Sequence, residues 1–344
     1  MALIQEYNKL YEQNSNIKKI YVNGNRVWPI KFIGYFEPFY VENINNNDET
    51  LSIVQSSSYA YDLTIECSTN KTDWETLGTT STTAITRTIT PGSKLYLRCN
   101  TNSWGSANTQ LAYNNITGVS KVGGNILSLI WGEDFINHVE MKTTNYVFYQ
   151  IFYLNTTLKD ASSLLLPSTV ARSNSYNGMF YGCTSLLNTP ELPATTLHTQ
   201  CYEKMFAYCR ALTTAPVLAS TSLGLRCYYD MFWQCTNLVN APVLPATTLV
   251  EDCYAGMFRS CTNLITAPDL LATDLVTECY YQMFSGCTKL NSVKCLATNG
   301  INQNRSTLDW LINVSSTGTF TKAAGITWSR NGSGIPSNWS VVEQ

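Results

Sequence analysis

The nine residues CYAGMFRSC at 253–261 recur as CYEKMFAYC at 201–209, CYYDMFWQC at 227–235 and CYYQMFSGC at 279–287, and SYNGMFYGC at 175–183 carries serine in the first slot. The Met-Phe pairs begin at Met179, Met205, Met231, Met257 and Met283, a constant step of 26 residues. A second phrase fills each interval: TSLLNTPELPATTL, RALTTAPVLASTSL, TNLVNAPVLPATTL and TNLITAPDLLATDL. Within one block, Cys253, Met257 and Cys261 lie at i, i+4 and i+8, with Tyr254 and Phe258 at i+1 and i+5. On a helix these five share one face, which would point into a stack of units. Ala255, Gly256, Arg259 and Ser260 would occupy the other side. The following phrase predicts a short strand over 264–267, ended by Pro268, which has no N–H to give to a ladder.

A fixed period of this length with leucine-led phrases predicts a leucine-rich-repeat α/β solenoid, in which no unit buries its apolar face alone. Its span is read as 123–298. Ile151-Phe152 stands for the first Met-Phe pair and Asn155 for its second cysteine. The phrase is lost after Leu296, and 299–344 is read as a cap. There Ser306 and Asp309 predict a helix-start capping box, and Trp310, Phe320, Trp328 and Trp339 supply apolar mass.

The paired cysteines raise the question of metal, disulfide or packing. Eight residues of helix span ~12 Å, too far for one bridge or one zinc ion, and no C-x-x-C spacing occurs. A ladder of bridges between units does not suit a chain that begins without a secretory signal. The thiols are therefore read as small, reduced, buried packing groups.

Residues 32–122 read differently. YDLTIEC, AITRTI and KLYLRC alternate with polar turn clusters, which predicts a β-sandwich. Cys67 and Cys99 are read as strand thiols, a bond between them being the lesser alternative. Residues 1–31 form an N-terminal anchor: helical spacing over Ala2–Glu12, then IKKIYVNGNRVWPI, a hairpin signal around Asn23-Gly24. Ile20, Val22, Val27 and Trp28 are its candidate anchoring residues.

Charged residues make up 13% of the chain and the formal net charge is −2, which gives no electrostatic basis for binding nucleic acid. No run approaches a membrane span, and with Met1 as the natural start no signal-peptide core is present, so synthesis in a cytoplasm is expected. The two histidines, His138 and His198, sit in no metal or triad motif, and Glu133-Asp134 are adjacent acids whose side chains diverge. No catalytic residue, metal site or cofactor is expected. The ligand-binding candidates are aromatic: Tyr181 and Trp233 share one outward slot and Tyr208 takes the next, so that they either contact a ligand or pack on a neighbour.

The repeat phrase, the junction VGGNILSLIWGEDF and the closing stretch INVSSTGTFTKAAGITWSRNGSGIPSNWSVV resemble the BspA-like leucine-rich-repeat proteins of gut Bacteroidales and their phages, including crAss-like phages. The hairpin resembles a module that opens many phage structural proteins. This resemblance implies a non-enzymatic virion protein, a head or tail fibre or decoration, made in the host cytoplasm and released by lysis. Its expected partners are other virion proteins through the N-terminal segment and a host surface glycan or protein. A homo-oligomer, by analogy a trimer, is expected. The alternative is a surface adhesin of a gut Bacteroidales bacterium; an enzyme such as a glycan hydrolase is the third class.

Overall fold

The computed structural model describes residues 20–22, 25–27, 36–55, 63–100, 114–141 and 145–344. Strands β1 (Ile20–Val22) and β2 (Asn25–Val27) pair antiparallel, Ile20 opposite Val27. Trp28 and the Ala2–Glu12 stretch lie outside the described residues.

Eight strands follow: β3 (Tyr40–Glu42), β4 (Glu49–Gln55), β5 (Thr64–Ser68), β6 (Glu75–Thr79), β7 (Ile85–Ile89), β8 (Lys94–Cys99), β9 (Asn114–Thr117) and β10 (Lys121–Asn125). With β11 (Asp160–Leu165) they make a six-stranded sheet, β11-β10-β3-β8-β5-β6, and a three-stranded sheet, β7-β4-β9. Ile53 of β4 and Ile116 of β9 line the same interior space as Ile65 of β5 and Leu97 of β8, so the sheets face each other. Period-two patterning does this: β4 buries Leu51 and Ile53 while Thr50 points out. Cys67 and Cys99 are buried thiols that are not joined in a disulfide. A short helix, α1 (Ser128–Trp131), continues as a 3-10 turn over Gly132–Asn137. The sheet then grows directly into the repeats. Strand β10 runs across positions 122–123, β11 lies parallel to it, and Asp160 bridges in parallel to Asn188 one coil further on.

The repeats are coils, but the expected leucine-rich-repeat α/β solenoid is not what they build. No block is a helix; apart from α1 and its 3-10 extension the described chain is strand, bridge and turn. In the 201–209 block, odd residues bond back three positions: Met205 N–H to Tyr202 O at 3.2 Å, Ala207 to Lys204 at 3.1 Å and Cys209 to Phe206 at 3.0 Å. Even residues bond to the next coil: Tyr202 N–H to Cys227 O at 3.0 Å, Lys204 to Tyr229 at 2.9 Å and Phe206 to Met231 at 2.9 Å. The block is thus a row of overlapping β-turns, hydrogen-bonded sideways like a strand. Every fourth residue takes a left-handed φ, as at Gln200 (56°), Lys204 (54°) and Tyr208 (62°). None of the described non-glycine residues with positive φ is β-branched, the side-chain type for which that conformation costs most.

Two physical reasons explain the difference. The apolar pattern i, i+1, i+4, i+5, i+8 has a strict period of four. On an α-helix it would drift by about 40° at each step, whereas in a turn row every fourth residue is equivalent. Packed helices also keep ~8–10 Å between axes, wider than the spacing at which these N–H groups reach acceptors on the next coil. The expected strand over 264–267 shrinks to single bridges, Asn240–Thr266 and Thr266–Ser292, because Pro268 supplies no further donor.

Sideways bonding brings equal residues of successive coils together. Phe152, Phe180, Phe206, Phe232, Phe258 and Phe284 form one buried column, with ring centroids 5.3, 5.4, 5.7, 5.6 and 5.6 Å apart. Tyr176, Tyr202, Tyr228, Tyr254 and Tyr280 form a second, at 5.5, 5.9, 5.6 and 6.2 Å. The second cysteine of each block donates its S–H to a phenylalanine carbonyl one coil back: Cys209 to Phe180 and Cys235 to Phe206, both at 3.1 Å. Burial pushes these thiols up, Cys287 to about 12, so they stay protonated donors.

The last coil closes the stack. Trp310 follows Phe284 and Tyr280 in the core; it stacks on Trp328 at 5.4 Å, meets Phe320 edge-on at 5.9 Å, and gives its indole N–H to Gly334 O at 2.8 Å. Strands β12 (Ser292–Cys295), β13 (Thr319–Lys322) and β14 (Ser340–Glu343) form a parallel sheet beside it. The expected helix-start box at Ser306 and Asp309 is absent: Ser306 Oγ donates to Gly300 O at 2.7 Å, and Asp309 has φ 57°, because this segment is another turn row.

Met257 is fully buried. Met257→Ala should cost about 2–5 kcal/mol, read from the urea midpoint of the whole chain, with no helical band in far-ultraviolet circular dichroism of either protein. Ser175 fills a cysteine slot, and its hydroxyl is buried without a hydrogen-bond partner. Ser175→Cys should therefore stabilise, by about 1 kcal/mol; a lower urea midpoint would mean the larger sulfur does not fit.

Candidate binding surface

The turn rows sort side chains cleanly. Slots at Tyr, Met, Phe and Cys enter the core, and the slots between them lie toward the surface, where Glu203, Ala207, Asp230 and Ala255 are nonetheless buried. Position six after the first cysteine (or its equivalent) holds Tyr153, Tyr181, Ala207, Trp233 and Arg259 in successive coils. The structure brings the three sequence-predicted residues together and adds a fourth. Tyr153 stacks on Tyr181 at 5.0 Å, Tyr181 meets Tyr208 at 5.3 Å tilted by 52°, and Tyr208 meets Trp233 edge-on at 4.7 Å. Ala207 is buried and leaves a notch in the row. Tyr208, one slot along, leans between Tyr181 and Trp233 and fills it. All four rings are half-buried. Their faces are spent largely on one another, so what they show to solvent is mainly edges and polar groups. Burial and the neighbouring Tyr208 and Tyr153 push the Tyr181 phenol up, so it remains a neutral hydrogen-bonding group.

Arg259 closes the row. Its guanidinium lies 4.3 Å from the Trp233 ring and bonds to both carboxylate oxygens of Asp230 at 3.1 Å. Asp230 is buried; burial raises its carboxyl, and Arg259 opposes that. The fork needs Gly256: a Cβ there, at φ 62°, would lie 2.1 Å from Asp230 Oδ1. Arg259 was expected to face solvent on the far side of a helix. In the turn row it holds Asp230 and Trp233, contacts the sequence signals only through their places one coil earlier, 29 residues back at slot three and one full repeat back at slot six.

A second group lies beside this row. Glu203 is buried and pairs with Lys204 at 3.4 Å and Arg226 at 3.5 Å. The Arg226 guanidinium lies 4.1 Å from the Tyr229 ring. One coil on, Asp252 is buried with one carboxylate oxygen unpartnered, and Glu278 occupies the same slot of the next coil. Burial and Glu278 push the Asp252 carboxyl up to about 6.

Other sequence candidates stay apart from this surface. His138 stacks on Trp131 at 3.5 Å and bonds Asp134 at 2.8 Å, and Glu133 lies 3.6 Å from Arg98. His198 is exposed. Among the described residues no group of three or more His, Cys, Asp or Glu is placed to hold a metal ion, and no helix is long and apolar enough to cross a membrane. Ile20, Val22 and Val27 lie on the β1–β2 hairpin.

Asp252 sets a pH dependence. Unfolded, it loses its proton near pH ~4; folded, it keeps it to about 6. The folded state binds more protons in that window, so its contribution to stability falls as pH rises through it and stays low above. Asparagine tolerates the left-handed φ of 56° found here. Asp252→Asn should leave the melting temperature near its wild-type value at pH 4 and raise it at pH 7.5. A lower melting temperature at pH 7.5 would show that attraction to Arg226 prevails.

Comparison of the chain with protein-family models, with curated proteins and with solved structures finds no match in any of the three.

Proposed function

We propose that this chain is a structural and adhesive protein of a phage particle, a head or tail fibre or decoration, which displays its coil stack to a host surface glycan or protein. The observation that carries this reading is the aromatic row, Tyr153, Tyr181, Tyr208 and Trp233, held half-exposed across four coils of one continuous stack. Half-buried aromatics with polar tips suit recognition, since they give contact area and hydrogen bonds at small entropic cost. The resemblance of the repeat phrase and closing stretch to BspA-like proteins of Bacteroidales and their phages supports the same role.

The hairpin fits attachment. Its strands are three residues each, and a two-stranded ribbon that short is marginal alone. In this reading it gains stability by docking Ile20, Val22, Val27 and Trp28 on another virion protein. Attachment at one end leaves the stack free for adhesion, and sister copies in a trimer would multiply weak contacts.

Mass spectrometry of purified phage particles should find the chain in fixed ratio to the capsid protein. Recovery from the envelope of uninfected Bacteroidales cells, and not from particles, would instead establish the surface adhesin.

A further inference from the structure

Two slots beside the aromatic row gain a cation in the coil of residues 201–210. Arg210 stands where the other coils carry Thr184, Thr236, Thr262 and Thr288, and Lys204 where they carry Gly178, Asp230, Gly256 and Gln282. Packing does not call for Arg210, whereas Lys204 also pairs with the buried Glu203 at 3.4 Å, which Arg226 reaches as well at 3.5 Å. Thr262 and Thr288 donate their hydroxyls to Thr236 O and Thr262 O one coil back, a bond arginine gives up. Arg210 is exposed, lies 5.6 Å from the Tyr208 ring, and has no ion pair with a carboxylate among the described residues.

The nearby charges are layered by depth. The Lys204 and Arg226 side chains are 35% and 34% exposed, while their partner Glu203 is 7% exposed. Arg259 is 29% exposed and its partner Asp230 4%. The acids lie beneath and the cations above, so a partner in solution meets Lys204, Arg210, Arg226 and Arg259 beside Tyr181, Tyr208 and Trp233. The chain as a whole carries a formal charge of −2. The local sign is therefore a property of these coils.

We infer that this face binds an acidic polysaccharide, with carboxylate or other anionic substituents on Arg210 and Lys204 and sugar hydroxyls against the ring edges. The inference deepens the adhesive reading above and rests on it. The surface suits a linear polymer: successive coils are hydrogen-bonded at strand spacing, about 4.8 Å, so the row offers evenly spaced contacts along a line. A nucleic acid fits less well. Four cations over three buried acids, Glu203, Asp230 and Asp252, fall short of the six to ten phosphate contacts, in round terms, of a strong polynucleotide binder.

The test compares retention of the full chain on polygalacturonate, neutral dextran and single-stranded DNA at low and high salt, together with its binding to intact Bacteroidales cells. Two substitutions use residues that other coils already carry at these slots, Arg210→Thr and Lys204→Gln, so the fold tolerates them; Gln282 holds φ 49° at the slot where Lys204 holds 54°. The wild-type chain should bind polygalacturonate in a salt-sensitive manner and pass through dextran. The double variant should lose roughly tenfold in affinity and still melt as one cooperative unit, since Arg226 keeps its pairing with Glu203. Lys289→Gln, at a cation bonded to Asn263 three coils beyond Arg210, should bind as wild type. Equal loss in the Lys289 variant, no loss in the double variant, equal retention on dextran, or tighter binding to DNA would each overturn the inference. Cell binding separates the two levels. A chain that binds cells but not polygalacturonate refutes the acidic ligand and leaves adhesion standing, while one that binds neither refutes adhesion as well.

Discussion

The hydrogen bond from one coil to the next is the constraint on which the rest of this molecule depends. It fixes the separation of coils at the spacing of β-strands, about 4.8 Å, and no α-helix can repeat at that distance. The blocks therefore flatten into turn rows, with half of their N–H groups directed sideways and half directed back three residues. At this spacing each ring lies over the equivalent ring of its neighbour, which produces the phenylalanine and tyrosine columns. The cysteines follow from the same geometry. A small side chain fits between close coils, and its S–H reaches a carbonyl that would otherwise lack a partner on that side.

The constraint also separates packing from recognition. Core slots must carry nearly the same residue in every coil, because each side chain is the floor for the next. Outward slots are released from that rule, and there the coils differ: tyrosine, alanine, tryptophan and arginine occupy the same position in turn. A binding surface can thus be written on the stack without disturbing its core. Some outward residues still acquire structural duties. Arg259 holds the buried Asp230 and covers Trp233, so charge, packing and surface shape are coupled at that corner.

The joint between the sheets and the stack follows the same bonding. Strand β10 pairs with β3 on one side and with β11 on the other, and Asp160 of β11 bridges to the next coil. A sandwich sheet and a coil stack share one parallel edge, which leaves no unpaired strand between them, the situation that otherwise invites aggregation. At the far end Trp310, Trp328 and Phe320 cover the last rings.

The sequence by itself determined the repeat, its 26-residue step, the inward set of Cys, Tyr, Met and Phe, the alternating strands before it, and the outward placing of Tyr181, Tyr208 and Trp233. Burial depends on periodicity, and periodicity is written in the chain. The conformation of the blocks was decided only in the tertiary structure. Within one nine-residue block the pattern i, i+1, i+4, i+5, i+8 still reads as a helix face, because a drift of about 40° per step has few steps in which to accumulate, and local preference does not separate the two forms. What separates them is where the N–H groups of Tyr202, Lys204 and Phe206 find acceptors, and those acceptors belong to Cys227, Tyr229 and Met231, a full coil away. The Arg259–Asp230 fork and the leaning of Tyr208 over Ala207 were hidden for the same reason: each is a contact between coils, made only when the stack exists.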